Sequence, residues 1–125
     1  MTKKKMNIWG RDFELSVYFG CYEGEEILDV QREALREILD NPAAIQNAKK
    51  DVEEYILEWN SYDLPNGKVD NIFRYVIPTA IFMPYFRNAR RAAILCNYRF
   101  DPEHGIAILF ENGKLLEVCS EDCVM

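Results

Sequence analysis

Three apolar runs separated by two turn signals fill residues 91–119, and they constrain the fold more than any other stretch of the chain. The second turn carries Asn112-Gly113, the residue pair that most readily accepts the positive φ angles of a two-residue type I′ hairpin. In the first turn, Pro102 restricts φ and Gly105 lets the chain restart in the opposite direction. This pattern predicts an antiparallel β-meander, which specifies a sheet but no chemistry.

The N-terminal segment has the alternation of a half-buried strand. Residues 13–19 place apolar side chains on one face and polar side chains on the other. Residues 6–9 are expected to pair with them as a short edge strand. Residues 1–5 carry three consecutive lysines and are expected to form a flexible basic tail.

Apolar residues recur at helical spacing in the middle of the chain. Asp29 is the expected N-cap of a helix that ends near Asp40. Asn41 and Pro42 have the N-cap and first-position preferences of a second helix, whose apolar stripe continues to Trp59. This stripe is expected to pack against a sheet, and an exposed aromatic contact surface at its end is the alternative.

A further strand is predicted over residues 78–85, near a sheet edge, because Pro78 and Pro84 each remove a ladder donor. We therefore predict a single α+β domain over residues 1–125, an antiparallel sheet of five or six strands with two helices packed on one face. The predicted core consists of Leu35, Ile38, Ile45, Val52, Ile56, Trp59, Ile94, Cys96, Ile108 and Phe110. An aromatic surface for a partner is predicted on the open face of the sheet, around Tyr18, Tyr22, Tyr85 and Tyr98.

The formal net charge is −6 at pH 7, in a composition typical of globular proteins. Binding of DNA or RNA is disfavoured, because an acidic surface repels phosphates and attracts cationic partners. Solubility alone is the alternative explanation of the charge. The longest apolar run, residues 76–86, is too short to span a bilayer, and no apolar segment follows the N-terminal lysines. A cytoplasmic location without membrane contact is therefore expected.

Carboxylates cluster in two places that are candidates for partner binding. Their spacing does not match a twelve-residue calcium loop, so no metal is predicted there. The first cluster also has a structural explanation, because acidic residues are favourable near a helix N-terminus. The candidate residues are Glu23, Glu25, Glu26 and Asp29 in the loop before the first helix, and Glu121 and Asp122 in the tail.

No catalytic, cofactor-binding or metal-ligating residues are predicted. The only histidine, His104, lies in the first meander turn, where a hairpin-capping role is favoured over that of a general base. Without a secretion signal, Cys21, Cys96, Cys119 and Cys123 are expected to be free thiols. Their spacing lacks the paired Cys-x-x-Cys units of four-thiolate zinc sites. No Gly-rich loop joins a strand to a helix, so no phosphate cradle is expected.

Residues 100–114, Phe-Asp-Pro-Glu-His-Gly-Ile-Ala-Ile-Leu-Phe-Glu-Asn-Gly-Lys, and the following Leu116-Glu117-Val118 resemble the C-terminal signature of a family of small bacterial cytosolic proteins. That family is known only as a domain of unknown function. The order of early strands, two helices and a Pro-Thr-Ala-Ile-Phe strand is similar too. Such small acidic α+β proteins are often encoded beside toxin genes, so the resemblance implies an immunity protein of a contact-dependent or polymorphic toxin system. The cysteine-containing tail after Val118 departs from the family pattern.

The leading functional hypothesis is therefore a non-enzymatic, immunity or antitoxin-like protein that binds and neutralises a cognate basic toxin domain through the two acidic clusters. The alternative is a regulatory or scaffold module, homodimeric through an exposed sheet edge. An enzyme or metal protein built on His104 and the cysteines is the third hypothesis.

Overall fold

The computed structural model describes residues 2–124, and within that range the chain forms one six-stranded sheet and three α-helices. The strands are β1 (Lys3–Ile8), β2 (Arg11–Phe19), β3 (Val76–Met83), β4 (Arg91–Tyr98), β5 (Ile106–Glu111) and β6 (Lys114–Cys119). The helices α1 (Asp29–Leu39), α2 (Pro42–Asn47) and α3 (Lys49–Asn60) lie between β2 and β3 in the chain. The predicted α+β class is confirmed.

The sheet is mixed, because β2 and β3 run parallel from Ser16↔Ala80 to Phe19↔Met83. The other neighbouring pairs are antiparallel. The prediction of a wholly antiparallel sheet is therefore wrong at this one pair. Parallel neighbours cannot be joined by a tight turn, and the helical segment supplies the long crossover that they need.

β3 lies inside the sheet between β2 and β4, and the predicted edge position is wrong. β2 pairs with β3 from Ala80 onward, so among the described strands Pro78 has a partner in β4 alone. The register with β4 also shifts between Pro78 and Ala80. A proline is tolerated at this irregularity because β2 offers no ladder partner there.

The predicted meander is present as β4, β5 and β6. Asn112 and Gly113 have φ angles of 51° and 83°, the positive pair that a type I′ turn requires. A similar pair joins β1 to β2, where Trp9 and Gly10 have φ angles of 54° and 86°. Trp9 is anchored in this conformation by Gln46, whose Oε1 accepts a hydrogen bond from Trp9 N at 2.8 Å.

β1 begins at Lys3 and pairs with β2 from Lys3↔Ser16 to Ile8↔Arg11. Residues 3–5 thus lie in a strand, which differs from the flexible tail expected over residues 1–5. Lysines fit this position because β1 is an outermost strand and their side chains are exposed.

The helical segment differs from the prediction at two points. The expected second helix is divided at Ala48 into α2 and α3, and the N-cap of α1 is Leu28 instead of Asp29. Asn41 caps α2 as predicted, because its Oδ1 accepts a hydrogen bond from Ala44 N at 3.4 Å. None of the helices within residues 2–124 has the length and apolar character that a membrane crossing requires.

The helices pack on one face of the sheet and form the main core with it. Leu35 is partly buried, and the prediction is wrong for Trp59, which is 67% exposed. Tyr55 occupies the space over the sheet in contact with Tyr98, at 6.1 Å between ring centroids, and Trp59 packs against Tyr55 from outside. The other predicted core residues are buried, namely Ile38, Ile45, Val52, Ile56, Ile94, Cys96, Ile108 and Phe110.

The opposite face of the sheet carries a smaller buried cluster instead of an open aromatic surface. Tyr98 lies on the helix side and is 2% exposed, so the predicted aromatic surface is wrong at this residue. Tyr18 and Tyr22 are exposed, and Tyr22 contacts Tyr85 edge to face at 5.2 Å between ring centroids. The cluster consists of Ala80, Ala93, Leu95, Ala107 and Leu109, with Phe82, Cys119 and Val124 packed against it.

Candidate functional site

The predicted acidic loop follows β2 and leads into α1. All four carboxylates are exposed there. Asp29 Oδ1 lies 4.0 Å from Arg32 Nη1, and Glu25 has two partners. Glu25 Oε2 accepts a hydrogen bond from Tyr85 Oη at 3.2 Å and lies 3.8 Å from Arg87 Nη2. Part of the negative charge of the loop is therefore offset within the chain.

The predicted acidic residues of the tail lie beside the first meander turn. His104 Nδ1 is 3.1 Å from Asp101 Oδ1, and its Nε2 is 3.8 Å from Asp122 Oδ2. The hydrogen bond to Asp101, and then the charges of Asp101 and Asp122, raise the pKa of His104 above its ordinary value. Burial, and then the charge of Asp122, raise the pKa of Glu121. His104 N also donates a hydrogen bond to Asp101 Oδ1 at 3.3 Å, and this arrangement fits a capping role.

The two acidic clusters do not form one surface. The loop lies where β2 and β3 end, which is also the end of the sheet where β4 begins. The tail follows β6, and Cys119 pairs with Ala107 at the opposite end of the strands. The sequence contains no signal for this separation, because it depends on the order and direction of the strands.

A third acidic surface lies between α3 and β6 and is not among the predicted sites. Asp51, Glu54 and Glu58 have the i, i+3, i+7 spacing of one helix face. With Tyr55 and residues 115–118 of β6 they line a groove of about 300 Å³. No cation of the described chain, residues 2–124, pairs with these three carboxylates. The signal available in the sequence is the carboxylate spacing alone.

The prediction of four free thiols is wrong for one pair, because Cys119 and Cys123 form a disulfide with their Cα atoms 6.3 Å apart. It is confirmed for Cys21, which is exposed, and Cys96, which is buried. Burial raises the pKa of the Cys96 thiol far above its ordinary value, so this residue is an inert core thiol. Cys96 faces the helices and Cys119 faces the opposite side, so the cysteines cannot form a four-thiolate metal site.

Glu117 lies next to the disulfide. Its carboxylate oxygen and the Sγ atoms of Cys119 and Cys123 all lie within 4.8 Å of one another. No metal ligand is predicted among these residues from the sequence, because Cys119 and Cys123 are four positions apart and do not form a Cys-x-x-Cys unit. Their proximity follows from the turn that comes after β6.

A small cavity beneath α1 has too little room for a ligand. It has a volume of about 10 Å³, which holds one water molecule, and it is lined partly by Glu37 and Arg90. Arg90 Nε donates a hydrogen bond to Glu37 Oε2 at 3.0 Å, and Nη2 lies 3.0 Å from the same oxygen. This pair links α1 to the segment before β4 at the wall of the cavity.

No curated protein and no solved structure matches the chain. One family model does match it, over residues 2–125, and that family is described as a domain of unknown function, DUF6985. The match covers nearly the whole sequence, so the chain belongs to the DUF6985 family.

Proposed function

We propose that the chain is an immunity or antitoxin-like protein that binds a basic toxin domain and blocks its active site. The acidic groove between α3 and β6 is the observation that carries the proposal. Three carboxylates that pair with no cation of residues 2–124 line one wall, and β6, which is an edge strand of the sheet, forms the other. A cationic surface that docks here gains association rate from the charge and specificity from the strand edge.

The free edge of β6 supports binding of an extended partner segment alongside this strand. β6 has β5 on one side, and within residues 2–124 no strand pairs with its outer edge. Unpaired backbone groups of an edge strand accept an extended segment of a partner. Leu116 is 47% exposed on this strand and offers an apolar contact. The partner segment we propose is therefore extended and basic.

The alternative function is a homodimeric regulatory or scaffold module that pairs through a sheet edge. The same exposed edge of β6 supports it. Two copies that meet at β6 bring two sets of groove carboxylates together, and like charges oppose that contact. This repulsion favours a basic partner over a second copy of the chain.

The test is co-expression of this chain with the protein encoded by the neighbouring gene, with host growth and co-purification scored together. If the neighbour is a toxin that this chain neutralises, growth is restored and the two proteins elute as one complex. A harmless neighbour and no complex would contradict the toxin proposal. Sedimentation at several concentrations then distinguishes a monomer from the homodimer of the alternative function.

Two charge-reversal variants locate the interface. Glu54→Lys with Glu58→Lys changes the groove, and Glu23→Lys with Glu26→Lys changes the loop by the same net charge. Because the two variants have the same net charge, a difference between their association rates reports a local contact with the partner. We expect the groove variant to associate roughly tenfold more slowly than the loop variant. Equal rates would remove the groove from the interface.

A further inference from the structure

One carboxylate and two sulfur atoms converge at the end of β6, on the face away from the helices. Glu117 and Cys119 are two residues apart on this strand, so alternation places both side chains on the same face. The short helical turn Glu121–Cys123 folds back and brings Cys123 to them. All three potential ligand atoms lie within 4.8 Å of one another, which is the spacing of a chelating set.

The turn is held in place by contacts other than the disulfide. Glu121 N donates a hydrogen bond to His104 O at 3.1 Å, and Cys123 N donates one to Ser120 O at 3.1 Å. Val124 packs against the apolar cluster on this face of the sheet. The two cysteines therefore remain neighbours when the disulfide is reduced.

We propose that, in the reduced chain, Glu117, Cys119 and Cys123 bind one thiophilic divalent cation, and that Zn²⁺ is the ion whose ligand preferences fit best. A dithiol reductant supplies two electrons and two protons to the disulfide and itself becomes a disulfide. Both cysteine thiols then lose their protons as the two sulfurs and the carboxylate bond to the ion, and no electron passes to the metal. The proposal does not rest on toxin binding, although Glu117 also belongs to the β6 segment that lines the groove.

The geometry and charge of the three groups suit this ion. Tetrahedral zinc with bonds of about 2.3 Å to sulfur needs its two sulfurs roughly 3.7 Å apart. The 6.3 Å separation of the cysteine Cα atoms allows that distance through rotation of the side chains. Two thiolates and a carboxylate carry three negative charges against the two positive charges of the ion. Glu117 pairs with no cation of residues 2–124, so its carboxylate is available.

The site is open to solvent. Glu117 and Cys123 are exposed and Cys119 is half-buried, which lets the ion enter. A tetrahedral zinc held by three protein groups completes its coordination with a water molecule. No metal is predicted from the sequence, whereas in the fold strand alternation places Glu117 beside Cys119 and the turn after β6 adds Cys123.

The test is a Co²⁺ titration of the full chain in its reduced and disulfide forms, followed by Zn²⁺ competition. The chain is reduced with a dithiol, which is then removed without oxygen. We expect the reduced chain to bind one equivalent of Co²⁺ with thiolate charge-transfer absorption, to exchange it for Zn²⁺, and the disulfide form to bind none. A reduced chain without charge-transfer absorption would overturn the proposal.

Two variants test the ligands, and two control variants are matched to them. Cys123 lies on an exposed turn, and Cys123→Ser should weaken both Co²⁺ binding and the charge-transfer absorption, because only the Cys119 thiolate remains. Circular dichroism confirms that the fold is intact. Glu117→Gln should weaken Zn²⁺ binding roughly tenfold or more. Cys21→Ser and Glu121→Gln remove an exposed thiol and a nearby carboxylate outside the set, and should leave the affinity unchanged. Unchanged affinity in Glu117→Gln or Cys123→Ser would overturn the assignment.

Discussion

Gln31 Nε2 donates a hydrogen bond to Met83 O at 3.0 Å, which ties the first turn of α1 to the end of β3. The same nitrogen donates to Gly20 O at 2.7 Å, and Oε1 accepts from Leu28 N at 2.8 Å. The side chain is 1% exposed, and it is the buried polar residue of the described chain. One amide therefore satisfies backbone groups of three segments where the parallel strands end.

Loss of this amide is expected to destabilise the fold. Gln31→Met keeps a similar volume but leaves Gly20 O, Met83 O and Leu28 N without these partners. We expect the free energy of unfolding to fall by about 1–3 kcal/mol, because buried polar groups lose their hydrogen bonds. Urea denaturation followed by circular dichroism measures the change. Glu33→Met, on the exposed side of α1, is the control and should stay within about 0.5 kcal/mol.

Gly105 is expected to be irreplaceable because of both its conformation and its surroundings. Its φ is +63°, and an added Cβ would lie 2.5 Å from Cys96 O. Gly67 has the same φ of +63° with nothing within 4 Å of such a Cβ, so it is a matched control. Gly67→Ala should cost about 1–2 kcal/mol from the left-handed conformation alone. Gly105→Ala should exceed that by about 1 kcal/mol or more, because the backbone must shift. Equal unfolding midpoints for the two variants would show that the close approach to Cys96 carries no cost.

The two tryptophans are expected to contribute very differently to the free energy of unfolding. Trp9 Nε1 donates a hydrogen bond to Ile45 O at 2.9 Å and its side chain is buried, whereas Trp59 is 67% exposed. Trp9→Phe should lower the free energy of unfolding by about 1–3 kcal/mol, and Trp59→Phe should change it by less than about 0.5 kcal/mol. Thermal or urea unfolding measures both. Iodide should quench the fluorescence of Trp9→Phe, which retains Trp59, more strongly than that of Trp59→Phe.

The elements that could be predicted are those that depend on a short stretch of the amino-acid sequence. Alternation in residues 13–19 and the Asn112-Gly113 turn each specify their structure within a few residues. The parallel pairing of β2 with β3 depends on how the helical crossover returns the chain. The interior place of Pro78 depends on where β2 begins to pair. Such long-range contacts leave no periodic signal in either segment.

The candidate surfaces also combine features that the local sequence specifies with features that depend on long-range contacts. Sequence composition identifies the acidic clusters, but the strand directions place the loop and the tail at opposite ends of the sheet. The groove needs α3 beside β6, and the set around Glu117 needs the turn after β6. Helical periodicity predicts that Trp59 is buried. Tyr55, one turn earlier on α3, occupies the position over the sheet, so Trp59 stays exposed.

Protonation of His104 is expected to stabilise the fold, with a dependence on pH that can be worked out from its partners. The hydrogen bond to Asp101 and the charges of Asp101 and Asp122 raise its pKa, so the folded chain binds this proton more tightly than the unfolded chain. This contribution is fully present below the ordinary histidine pKa and is lost as the pH rises through the raised value. The chain contains one histidine, so its ring proton signal in an NMR titration reports the pKa without ambiguity. Asp101→Asn should lower that pKa, and His104→Gln should remove this part of the pH dependence of unfolding. A folded pKa at or below the ordinary value would contradict the assigned contacts.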